Sequence, residues 1–80
     1  MSNTNELTKE LLNVLSTYYD IEDIEITEQE DGKVAVFENG SLLMMCDFTN
    51  DGVWDIDLEE ELDDDLLDDL NLLDCVGEVF

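Results

Sequence analysis

Apolar positions near the start of the chain recur at helical intervals. Leu7, Leu11, Leu15 and Tyr18 follow one another at steps of four, four and three, and Leu12 and Tyr19 widen the same stripe. This spacing predicts a helix over Asn3 to Tyr19, with Asn3 as its cap and Glu6 as a reciprocal acidic partner. From residue 24 the pattern changes to alternation. Ile24 and Ile26 interleave with Glu25 and Thr27, Val34 and Val36 share a side, and Leu42, Met44, Cys46 and Phe48 share another. Asp31-Gly32, Asn39-Gly40 and Asn50-Asp51-Gly52 punctuate these runs, and Asn39-Gly40 is the strongest hairpin signal. A short strand, Val53 to Ile56, follows the last of these turns.

Helical spacing then returns. Leu58, Leu62, Leu66, Leu70, Leu73 and Val76 form one stripe, opened by an Asp57–Glu60 capping pair and closed by Gly77. The expected order is α-β-β-β-β-α. It describes one α+β domain over residues 1–80, a four-stranded antiparallel sheet flanked by an N-terminal helix and a C-terminal helix. Its expected core is Leu7, Leu11, Leu15, Val34, Val36, Leu42, Met44, Phe48, Ile56, Leu62, Leu66, Leu70 and Leu73. Leu43 and Met45 make the far side of the richest strand partly apolar. If that side is exposed, they would support a homodimer.

Charge changes the picture. Against 24 acidic residues stand only Lys9 and Lys33, with no His, for a formal charge of −22. Self-repulsion of this size opposes collapse, but an apolar share of 44% is ordinary for a folded domain. The chain is therefore read as a folded domain with an abnormal surface. A nucleic-acid backbone or an anionic membrane would repel it, whereas a basic protein would attract it. The first residues lack the basic and apolar regions of a signal peptide, and Leu42 to Cys46 is the longest apolar run, so the expected location is the cytoplasm of a host cell. Cys46 and Cys75 are read as free thiols.

Eleven carboxylates fall between Asp55 and Asp74. On a single helix, Glu60–Asp64, Glu61–Asp65, Asp64–Asp68 and Asp65–Asp69 would be repelling pairs with no Lys between them. Asp is also a mediocre helix former, and acids in the last turn oppose the helix dipole. The nine acids from Glu59 to Asp74 would lie along roughly 25 Å of axis, about one per 3 Å, close to the phosphate spacing of a DNA strand. The expected partner-binding residues are Glu59, Glu60, Glu61, Asp63, Asp64, Asp65, Asp68 and Asp69.

In size, charge and acidic helix the chain resembles the small DNA-mimic proteins of phages and mobile elements, among them anti-restriction and anti-CRISPR proteins. The resemblance covers no specific motif. It implies an inhibitor that occupies the basic nucleic-acid-binding groove of a target such as a CRISPR effector, a restriction enzyme or another DNA-binding protein. An immunity or antitoxin protein neutralising a basic nuclease toxin would share these electrostatics, and salt adaptation would share the composition.

Other chemistries are less well supplied. Asp47, Thr49, Asp51, Gly52 and Asp55 partly fit a calcium loop, but Leu58 stands where the bidentate Glu is required, and a hairpin turn accounts for the same residues. No His, no Gly-rich phosphate loop and no nucleophile with a base point to catalysis, so neither enzyme activity nor a metal or cofactor is expected. Trp54, between the last turn and the acidic stretch, is read either as core or as a binding anchor.

Overall fold

The computed structural model describes the backbone of residues 3–80 and the side chains of residues 6–80. The Asn3 cap expected from the sequence thus lies outside the described side chains. Helix α1 runs over Asn3–Leu15, and its stripe Leu7, Leu11 and Leu15 is fully buried. It stops short of the tyrosines. Ser16 Oγ donates to the Asn13 carbonyl at 2.8 Å, and the amides of Tyr18 and Tyr19 both close on the Leu15 carbonyl. Tyr18 and Tyr19 pack half-buried against the core from this turn. A single 3₁₀ turn, Ile21–Asp23, leads into the sheet.

Strands β1 (Ile24–Glu28), β2 (Val34–Glu38), β3 (Ser41–Phe48) and β4 (Trp54–Leu58) form the expected antiparallel meander. Its hairpins follow from their glycines. Asn39 and Gly40 take φ of 53° and 87°, the two positive values a two-residue hairpin turn requires. Gln29 to Lys33 and Thr49 to Val53 share a second geometry. In each, the first amide donates to the last carbonyl and the glycine amide closes back on the first residue, with Gly32 and Gly52 left-handed.

The four-stranded antiparallel sheet expected from sequence is corrected in one respect: there are five strands and the sheet is mixed. Strand β5 (Val76–Val79) lies parallel to β4, giving the order β1-β2-β3-β4-β5. The crossover between β4 and β5 is helix α2 (Asp64–Asn71). Without β5, one edge of β4 would expose its amides; instead Trp54 donates to the Cys75 carbonyl at 2.7 Å and Leu58 to that of Phe80 at 3.1 Å. Gly77 is accordingly a strand residue and not a helix stop.

The acidic helix is also shorter than its leucine spacing suggests. Trp54, Ile56 and Leu58 stand opposite Phe48, Cys46 and Met44, so strand pairing holds the chain extended through Leu58. The Glu59 amide extends this contact to the Leu43 carbonyl at 2.8 Å. The Asp57–Glu60 capping pair does not form, because Asp57 is in β4.

One core joins α1, α2 and one face of the sheet. It contains Leu7, Leu11, Leu15, Val34, Val36, Leu43, Met44, Cys46, Trp54, Ile56, Leu62, Leu66, Leu70 and Val76. Burial of each such leucine contributes about 1.5–3 kcal/mol. Leu42, Phe48 and Leu73, expected in the core, are not fully buried: Leu42 and Leu73 are half-buried and Phe48 is 40% exposed. The reason for Leu42 is a bulge. Val36 pairs with Met44 but Phe37 with Leu42, so Leu43 is an extra residue in β3 and the alternation slips by one there. Leu43 therefore enters the core, and the homodimer contact expected of Leu43 with Met45 loses its first member. Trp54, 3% exposed, is core, with the Phe48 ring tilted on it at a centroid distance of 5.1 Å.

Candidate partner-binding surface

Helix α2 is built from two opposed sets of residues. Leu66 and Leu70 are buried, and Leu62 joins them from just before the helix. At about 100° per residue, Asp64 and Asp68 fall on the side opposite Leu66, and Asp65 and Asp69 fall on one flank. Asp64, Asp65 and Asp68 are exposed, as are Glu59, Glu60, Glu61 and Asp63 ahead of them.

Asp69 behaves differently. It is half-buried beside α1, and its Oδ2 accepts a 2.7 Å hydrogen bond from the Tyr18 hydroxyl. That bond is the main cause that raises the Tyr18 phenol to about 12, aided by burial and then by the charges of Asp69, Asp65 and Asp63. Burial, helped by Glu38, Asp63 and Glu60, raises Tyr19 as well.

The eight acidic positions expected to bind a partner thus divide into three groups. Asp64, Asp65, Asp68 and Asp69 are on α2. Asp63 is its N-cap, with extended backbone and no side-chain capping bond. Glu59, Glu60 and Glu61 are in the segment between β4 and α2, which corrects their placement on the helix. Of the four expected repelling pairs, only Asp64–Asp68 and Asp65–Asp69 lie within the helix. The dipole argument changes too. Asp63, Asp64 and Asp65 stand at the N-terminal end, where negative charge is favoured, and only Asp68 and Asp69 oppose the dipole.

The sheet carries a second acidic group. Asp55 and Asp57 alternate with the buried Trp54 and Ile56, and Asp47 follows the buried Cys46, so all three carboxylates belong to the face away from the helices. Asp47 stands directly opposite Asp55, and Asp57 opposite Met45. Sequence spacing places Asp57 at the start of the acidic helix, Asp55 in the short strand Val53 to Ile56, and Asp47 with Asp55 in a partial calcium loop. The available signal was their alternation with Cys46, Trp54 and Ile56. Among the described residues, no group of three or more acidic or cysteine side chains is arranged to hold a metal ion.

The thiols are muted by their surroundings. Burial, with the neighbouring Cys75 and Asp57, pushes Cys46 up to about 12, and burial also raises Cys75. Both are unbonded thiols, and a protonated thiol is a poor nucleophile. No helix of the described residues is long and apolar enough to cross a membrane. No protein family, curated protein or solved structure matches the chain.

Proposed function

We propose that the chain is a DNA-mimic inhibitor that occupies the basic nucleic-acid-binding groove of a target protein. The observation that carries this reading is the outward set Asp64, Asp65 and Asp68 on α2, held by the buried Leu66 and Leu70 and continued by Glu59, Glu60, Glu61 and Asp63. Eight residues of helix rise about 12 Å, so the three outward acids of α2 present about one charge per 4 Å, and Asp63 at the N-cap adds a fourth. Phosphates along one DNA strand are about 3.4 Å apart. A groove that grips phosphates with Lys and Arg meets a comparable field here. With only Lys9 and Lys33 in the chain, little of that field is neutralised internally. Association should be fast and should weaken steeply with salt.

The test has two stages. Proteins captured from a host lysate at low salt and eluted at high salt are identified, and each is then assayed for DNA binding in competition with the purified chain. The chain should displace DNA. The variant Asp63→Asn, Asp64→Asn, Asp65→Asn, Asp68→Asn should fold, since Asp69 keeps its bond to Tyr18, and should fail to displace it. Undiminished competition by that variant removes α2 from the mechanism. Capture of a single nuclease toxin, inhibited without DNA competition, would replace mimicry by immunity.

A further inference from the structure

Both helices cover the same face of the sheet, and the opposite face has no covering element. Its residues follow from the register. Thr27, Ala35, Met45 and Asp57 form one row across β1 to β4; Glu25, Phe37 and Leu42 form a second; Asp47 and Asp55 form a third. Phe37, Leu42 and Met45 are half-buried and lie outside the core cluster, whereas Ala35 between them is closed over, 2% exposed. The face is therefore apolar over β2 and β3 and acidic over β3 and β4. A depression of about 470 Å³ opens beside Met45 and is otherwise lined by Gln29, Glu30 and Asp31 of the β1–β2 turn.

We infer that this open sheet face is a docking surface for a basic amphipathic helix of a partner protein. Two arguments select that occupant. Apolar sheet faces are buried by another layer, and a helix about 10 Å across covers the two strand spacings, each about 4.8 Å, between β2 and β4. Its apolar stripe would lie on Phe37, Leu42 and Met45, and Lys or Arg flanking the stripe would meet Asp47, Asp55 and Asp57. Asp47 and Asp55 directly oppose each other, a like-charge pairing that costs stability in the free chain and that cations of a partner would relieve. A second copy does not fit. Each copy carries −22, and face-to-face pairing would bring the same carboxylates together. The inference adds a second contact surface to the mimic reading and rests on its premise that the partner is basic.

Adjacent methionines make the test direct, because Met44 is buried in the core and Met45 lies on the open face. The methyl-labelled chain is titrated with a synthetic helix of about four turns, leucines on one stripe and lysines elsewhere. A scrambled peptide of the same composition serves as control. The striped peptide should shift the Met45 methyl, leave Met44 in place, and bind about tenfold or more tighter than the scrambled one, a difference of about 1.4 kcal/mol. The variant Asp47→Asn, Asp55→Asn, Asp57→Asn should fold at least as stably as the parent and bind the striped peptide at least about tenfold more weakly. An unmoved Met45, or equal binding of the two peptides, overturns the inference. If instead only Asp64→Asn, Asp65→Asn, Asp68→Asn weakens binding, the sheet face is excluded while the reading of α2 stands. If neither variant weakens binding, the sheet face is excluded, and the reading of α2 is decided by the DNA competition.

Discussion

The Tyr18 hydroxyl donates to Asp69 Oδ2 at 2.7 Å across the seam between α1 and α2, tying the turn after the first helix to the last turn of the second. This bond places one carboxylate of the acidic helix in a structural role. Asp69 belongs to the fold, and Asp64, Asp65 and Asp68 remain free to face a partner.

A pH dependence follows. The Tyr18 phenol rises from 10.0 to about 12 on folding, so the folded state favours the protonated form. Its contribution to stability is complete below about pH 10 and is lost as pH rises through about 12. Denaturant unfolding at successive pH values should show an alkaline decline that is shallower in Tyr18→Phe. Some decline should persist in that variant, because Tyr19 is also raised by burial. Parallel declines in the two proteins would show that the Tyr18–Asp69 bond does not govern the alkaline limb.

Much of this fold is legible in the sequence, and where it is not, one residue satisfies two periodicities. The stripe Leu7, Leu11, Leu15 and the turn Asn39-Gly40 each have a single reading, and both are observed. Leu58 fits the alternation Trp54, Ile56, Leu58 as well as the helical series Leu58, Leu62, Leu66. Cross-strand pairing with Met44 decides for strand and displaces Glu59, Glu60 and Glu61 from the helix. Val76 likewise extends the series Leu66, Leu70, Leu73 yet pairs with Trp54 in β5. Local spacing does not encode that choice. It depends on the unsatisfied edge of β4, a contact more than twenty residues away in sequence. For the same reason, the acids of the candidate surface were identifiable as residues, but their division between α2, the preceding segment and the open sheet face was not.

The bulge in β3 makes a prediction opposite to simple alternation. A regular strand would place Leu42 with Met44 and Cys46, but the register shift buries Leu43 at 1% exposure and leaves Leu42 half-exposed. Leu43→Ala should cost about 2–5 kcal/mol, by lost burial and the cavity left behind. Leu42→Ala should cost about 1 kcal/mol or less. Chemical denaturation of the two variants gives the comparison, and the reverse ranking would mean that β3 is unbulged in solution.

Gly77 offers a sharper check of the fifth strand. Its backbone is not left-handed, so conformational strain does not require glycine there. Space does. A Cβ at this position would lie 2.7 Å from Val53 Cγ2 and 3.2 Å from Asp55 Oδ1, and the β-branched Val53 has little rotamer freedom to move aside. Gly77→Ala should therefore destabilise by about 1–3 kcal/mol through overpacking. The Val53 contact is the closer of the two, so most of that cost should vanish in a Val53→Ala background, a coupling that a double-mutant cycle measures. Equal costs in both backgrounds would separate residue 77 from Val53, and would thereby count against β5 lying where it closes the edge of β4.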